Sequence, residues 1–281
     1  MRFIIFAFII LALASCTKQD VGNSNQNLPA SNQMDISYGS DAKQKMDIYL
    51  PAGRTDSATK VLFLIHGGGW SEGDKADFSA YVSGLQNLLP GYAIININYR
   101  LTANNQNLFP TQENDIKAAL EFVYSKKSTY HISEKWAYLG ASAGGHLALL
   151  QAYKYSNPVK PKAVVSFFGP SELKSLYSNN LLAAVILLGA TGSTPDLNPT
   201  IYQQSSPYNF ITAQSPPTML LHGGADPLVP SSQSAIVKDK LQSLGVANQY
   251  VYYPNNGHGW DGADLLDSFT KITAFLNQYV Q

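Results

Sequence analysis

The chain carries a single cysteine, Cys16, in 281 residues. A domain built from the residues after Cys16 holds no disulfide, no thiolate zinc site and no cysteine nucleophile, which removes three kinds of chemistry together. Charge is scarce as well: 14% of residues are Asp, Glu, Lys or Arg, and the net charge is zero. No basic run of five or more occurs, so there is no electrostatic case for nucleic acid or an anionic membrane surface as a partner. Internal repeats and a second-domain linker are lacking too. Long apolar runs are missing apart from one at the amino terminus.

That run, Met1 to Ser15, joins one positive charge to an apolar stretch too short to span a bilayer comfortably, the pattern of an export signal. It ends Leu13-Ala14-Ser15-Cys16, which resembles the bacterial lipoprotein signal, in which the cysteine is lipidated and becomes the mature amino terminus. The resemblance implies a cell-envelope protein anchored through Cys16, on the periplasmic or the surface side, with its only membrane contact through that lipid. Residues 17–33 are rich in Asn, Gln, Ser and Asp and read as a flexible tether. Residues 34–281 then form one domain, and 45% hydrophobic residues in the chain suit a large core.

Two short alternating segments, Met34 to Tyr38 and Lys45 to Leu50, predict an antiparallel hairpin. Thereafter buried-strand runs (Val61 to Ile65, Ala93 to Asn98, Trp136 to Gly140, Ala163 to Phe168, Thr218 to Leu221, Gln249 to Tyr253) alternate with helical periodicity. Helices are predicted over Ala76 to Leu89, Gln112 to Lys126, Ala143 to Tyr155, Ser231 to Leu244 and Leu265 to Tyr279. The pattern predicts an α/β fold: a mostly parallel central sheet covered by helices on both faces, with its site at the carboxyl ends of the strands. Ser171 to Ala213 is too long for a simple connection and contains the apolar helical piece Leu181 to Leu188. It reads as a small cap insertion over the site, or as an extra surface helix.

Chemistry is concentrated at Gly140-Ala141-Ser142-Ala143-Gly144, placed between a strand and a helix. A serine alcohol is a weak nucleophile and must be presented on a sharp turn, where flanking glycines remove clashing Cβ atoms. Ser142 needs a base, and the histidines after it are His146, His222 and His258. His258 lies in a loop after the last strand, whereas His222 ends a strand and reads as packing beneath its loop, and His146 sits on the nucleophile helix as a structural residue. Of the later acids, Asp239 falls mid-helix and Asp196 in the cap. Asp226 follows a buried strand directly and is the expected orienting acid, with Glu172 in reserve. His66-Gly67-Gly68-Gly69-Trp70 also follows a strand. Its glycines allow Gly68 and Gly69 to form, with Ala143, a set of N–H donors for the oxyanion of acyl transfer. Neither G-x-G-x-x-G nor a P-loop lysine accompanies them, which argues against phosphate binding.

Taken together, Ile65 to Trp70, Gly73-Asp74-Lys75, Asn98 to Leu101, Gly140 to Ala148, Ser206-Pro207, His222 to Asp226 and Gly257-His258-Gly259 resemble the α/β-hydrolase carboxylesterases of the bifunctional feruloyl and acetyl-xylan esterase type, relatives of the hormone-sensitive-lipase-like esterases. The resemblance runs from about Met46 to the carboxyl end and finds no family signature in the Ser171 to Ala213 segment. It implies Ser142 as nucleophile, His258 as base, Asp226 as orienting acid, Gly68, Gly69 and Ala143 as oxyanion donors, and no cofactor or metal. The expected substrate is a small-molecule or polysaccharide ester, with Trp70, Tyr99 and Trp260 as stacking surfaces for a sugar. Aryl-formamide or small-peptide hydrolysis by the same triad is the alternative, and a non-catalytic binding protein on this scaffold is a third reading.

Overall fold

The structure is a computed structural model and describes residues 28–281. The expected signal, Cys16 and most of the tether lie outside the described residues.

The sheet consists of β1 (Ser31–Ser37), β2 (Lys45–Leu50), β3 (Lys60–Ile65), β4 (Tyr92–Ile97), β5 (Trp136–Ala141), β6 (Ala163–Phe167), β7 (Thr218–Gly223) and β8 (Asn248–Tyr253). Their spatial order is β1-β2-β4-β3-β5-β6-β7-β8, with β3 to β8 parallel and β2 antiparallel to both of its neighbours. The hairpin begins earlier than its sequence pattern suggests. Ser31, Asn32 and Gln33 pair with Leu50, Tyr49 and Ile48, so the last residues expected in the tether belong to an edge strand. An edge strand with one solvated face tolerates the polar composition that imitates a linker.

The central strands are apolar on both faces, and the side-chain period of two divides each between two cores. Val61, Phe63 and Ile65 point to the core beneath α2 (Thr111–Ser125), α4 (Ala143–Lys154) and α8 (Ser232–Ser243). Leu62 and Leu64 point to the opposite core, closed by α1 (Ala76–Leu88) and α9 (Gly262–Tyr279). The short α3 (Lys127–Tyr130) follows α2.

The 171–213 segment folds as α5 (Leu173–Asn179), α6 (Leu181–Thr191), α7 (Pro199–Gln204) and a 3-10 turn at Pro207–Phe210. Local chemistry sets its breaks. Gly192 adopts φ 69° and ends α6, while Pro199 opens α7 beneath an Asn198 side chain that accepts from the Ile201 N–H. Leu173, Leu176, Ala183 and Leu187 bury themselves against the α4 side of the core, which seats α5 and α6 over the carboxyl ends of the strands.

β3 and β5 are neighbours, yet the chain leaves β3 toward one edge of the sheet and leaves β5 toward the other. Diverging connections open a crevice at that point. The glycine loop after β3 and the serine turn after β5 form its two lips.

Candidate active site

Ser142 stands between β5 and α4 with φ 53° and ψ −121°, a backbone conformation that L residues rarely adopt and that stores strain of about 1–3 kcal/mol. The turn survives because its surroundings leave no other arrangement. The Ser142 N–H donates to the Phe167 carbonyl at 2.9 Å. Gly144 lies so near β3 that a Cβ there would stand 2.0 Å from the Ile65 carbonyl oxygen.

The geometry brings Ser142, His258 and Asp226 into one hydrogen-bonded line. Ser142 Oγ–H donates to His258 Nε2 at 2.8 Å, and His258 Nδ1–H donates to Asp226 Oδ2 at 2.7 Å. The carboxylate can only accept, which assigns the tautomer and leaves Nε2 free to take the serine proton. Asp226 Oδ1 accepts the N–H groups of Leu228 and Val229, each at 2.9 Å. Burial alone would raise the Asp226 carboxyl, but the neighbouring His222 imidazole, 3.5 Å away, and hydrogen bonds from His258 and Val229 outweigh it and hold the group well below the usual carboxylate range. Asp226 is thus a carboxylate at neutral pH.

The remaining candidates take structural positions. His222 is fully buried, donates through Nε2 to the Val229 carbonyl at 2.8 Å and accepts the Ser234 hydroxyl at Nδ1 at 2.7 Å, bracing the Asp226 loop from below. Glu172 caps α5 by accepting the Lys174 and Ser175 N–H groups and takes no part in the triad line. Asp239 lies in α8 beside Lys238, and Asp196 is exposed in the loop between α6 and α7. Among the described residues no three His, Cys, Asp or Glu side chains form a group able to hold a metal ion.

The glycine loop faces Ser142 across the crevice, where a Cβ on Gly67 would stand 3.2 Å from Ser142 Cβ. Gly68 has φ 98°, and a Cβ there would stand 2.2 Å from the Glu72 carbonyl oxygen, so only glycine fits. The N–H groups of Gly68 and Gly69 find no acceptor among the described residues. Ala143 opens α4, where first-turn N–H groups have no helical partner and the helix dipole is positive. Free donors on both lips of the crevice suit an anion formed at the serine.

Two of the expected stacking surfaces present no open ring face on which a sugar could stack. Trp70 is 2% exposed and Tyr99 is fully buried. Trp70 donates its indole N–H to His146 Nδ1 at 3.3 Å and meets His146 and Phe109 edge-on. Tyr99 stacks on His66 at 4.3 Å and donates to the His66 carbonyl at 2.9 Å. These two aromatics are the foundation of the glycine loop rather than platforms for a sugar. Trp260 is half-buried and faces an open groove.

Polar residues around the loop explain why it holds its shape. Lys75 pairs with buried Asp47 at 2.8 Å, Asn98 Nδ2 donates to Asp74 at 2.7 Å, and Asn96 Nδ2 donates to the Lys75 carbonyl at 2.6 Å. Arg100 makes a forked pair with buried Asp115, 2.6 Å at its shortest, which ties the end of β4 to α2. Asp47 and Asp115 had no signal in the sequence, since a charged residue in a strand or helix reads as solvated until its partner is known.

Strand order, crevice and triad line define the α/β-hydrolase fold with a serine-hydrolase arrangement at its switch point. The chain belongs to the BD-FAE family, whose model matches residues 46–241. It is 26% identical over 264 residues to esterase LipC of Mycobacterium tuberculosis, an alignment covering 86% of this chain and 64% of LipC. With esterase LipQ of the same organism it shares 27% over 257 residues, covering 85% and 60%. The chain thus spans about three fifths of the length of these curated relatives. Among solved structures, a truncated carbohydrate esterase from gut microbiota superposes with a TM-score of 0.75 at 25% identity, covering 91% of this chain and 98% of that one. A bifunctional GH43-CE protein of Bacteroides eggerthii also gives 0.75 at 26% identity, covering 87% and 38%.

Proposed function

We propose that this protein is a serine carboxylic-ester hydrolase that removes acetyl or feruloyl groups from carbohydrates, or acts on other short-acyl esters. The observation that carries the reading is the bridge made by His258, 2.8 Å from Ser142 Oγ and 2.7 Å from Asp226, beneath a strained serine turn. Similarity to named esterases and to a carbohydrate esterase supports it.

In this mechanism Ser142 Oγ bonds to the acyl carbon as its proton passes to His258 Nε2. The carbonyl electron pair moves to oxygen, where the N–H groups of Gly68, Gly69 and Ala143 receive it. The pair returns, the bond to the alcohol oxygen breaks, and His258 gives its proton to that oxygen. Water then attacks the acyl-enzyme with His258 as base, and the acid leaves as Ser142 regains its proton. Asp226 keeps the imidazole oriented and stabilises the imidazolium throughout.

The reading also places the protein at the bacterial cell envelope, held by a lipid on Cys16. The apolar leader and Leu13-Ala14-Ser15-Cys16 support that placement, and loss of detergent-phase partitioning in Cys16→Ala tests it.

Initial rates on p-nitrophenyl acetate, with Ser142→Ala beside the wild type, test the chemistry. The variant is expected to lose at least about 10⁴-fold in kcat. Turnover of formyl or peptidyl anilides by a protein inert toward esters would move the chemistry to amides, and failure to react with a fluorophosphonate would leave a binding protein.

A further inference from the structure

Two recesses flank the serine turn. One lies beneath α6 and is walled by Gly69, Trp70, Ala143, Leu176, Ile186 and Leu187, with a volume of about 20 Å³. The other, about 190 Å³, is an aromatic groove walled by Tyr81, Phe168, Trp260 and Phe269 beside Ala141 and Gly259, the chain neighbours of Ser142 and His258.

The direction of proton transfer assigns them. A leaving alcohol must take its proton from His258 Nε2 and so departs on the histidine side. Phe168 packs against His258 with ring centres 4.6 Å apart and lines the larger groove, which makes that groove the leaving-group side. The smaller recess shares its walls with Ser142 itself and with Gly69 and Ala143, the backbone that faces the carbonyl oxygen. It therefore receives the acyl chain.

Its ceiling is tied down along its length. Asn180, at the start of α6, donates to the Pro227 and Leu228 carbonyls at 2.9 and 3.2 Å, which ties that end to the Asp226 loop. At the other end the Phe109 N–H donates to the Ala190 carbonyl at 2.9 Å, and fully buried Leu187 anchors the middle. Ile186 presses on the oxyanion loop, its Cγ2 lying 3.1 Å from where a Cβ on Gly69 would stand. A space of about 20 Å³ accepts roughly one water-sized group, the size of an acetyl methyl.

We propose that α6 is the acyl-length selector, with Ile186 as the residue that restricts this enzyme to acetyl-sized acyl groups while ring-bearing alcohols lie in the aromatic groove. The inference rests on the esterase reading and narrows it, since a feruloyl acyl group is too large for the recess.

The test is kcat/KM of the wild type and Ile186→Ala on p-nitrophenyl acetate, butyrate and hexanoate, the leaving group held constant. The wild type is expected to favour acetate over butyrate by about 10-fold or more, and Ile186→Ala to raise the butyrate-to-acetate ratio by about 10-fold. Should Ile186→Ala fail to fold, Ile186→Val is expected to move the ratio in the same direction by about 3-fold. A wild type that prefers hexanoate, or a folded variant whose ratio stays within about 2-fold of the wild type, overturns the selector role and leaves the esterase standing. A wild type that cleaves no ester overturns both.

Discussion

His146 sits one helical turn past Ser142, and its imidazole joins three parts of the site. Nδ1 accepts from Trp70 of the glycine loop at 3.3 Å, and Nε2–H donates to the Ser205 carbonyl of the cap segment at 2.6 Å. With one nitrogen accepting and the other donating, only the neutral ring fits. Burial lowers its pKa from 6.5 to about 4, against the opposing effect of the Ser205 carbonyl. The folded value is depressed, so in acid the unfolded chain takes up a proton that the folded chain refuses, and stability falls with falling pH. Between pH 7 and 4.5 that refusal removes about 2.5 kcal/mol. The assay is urea unfolding of the wild type and His146→Gln at both values. At pH 7 the variant is expected to be the weaker protein by about 2–3 kcal/mol, from lost hydrogen bonds and packing. Near pH 4.5 that gap should close, because the variant has no ring to protonate. His66 and Asp226 also titrate abnormally, but they are present in both proteins and cancel in the difference. A gap that stays constant within about 0.5 kcal/mol would refute the neutral buried ring and its role as the joint between loop and cap.

Asp226→Asn is expected to lower ester kcat by about 10⁴-fold, because an amide can present an N–H to His258 and favour the wrong tautomer. Glu172→Ala, which removes only the α5 cap, should cost about 1 kcal/mol in urea unfolding and change kcat by less than about 3-fold. If the two variants exchanged these effects, the assignment of the orienting acid would be wrong. Gly144→Ala places a Cβ 2.0 Å from the Ile65 carbonyl oxygen, and either the turn or β3 must shift. The expected outcome is loss of fluorophosphonate labelling together with several kcal/mol of stability, read by circular dichroism on heating. Normal labelling would show that the serine turn does not need that close approach.

Local sequence was enough for the elements that face a single, predictable environment. The two-sided apolar strands, the helix periodicity between them and the glycine-flanked serine each follow from short-range rules of sterics and burial. The strand-end positions of His258 and Asp226 were likewise legible, because in a parallel sheet the residues just past a strand are the ones free to reach a crevice. What a residue does inside a packed interior was another matter. Trp70 and Tyr99 have the composition of a ligand surface, and only tertiary contacts made them the base of the glycine loop. Ser31 to Gln33 have the composition of a linker, and only their pairing with Leu50 to Ile48 made them a strand. Asp47 and Asp115 carry no local mark at all, since their ion pairs with Lys75 and Arg100 join residues distant along the chain. The acyl recess belongs to the same class: it exists between α6, the glycine loop and α4, and no one of them contains it. Sequence determines what each segment prefers for itself, whereas cavities, buried charge pairs and the role of an aromatic ring are properties of the contacts between segments, and those arise only when the chain closes on itself.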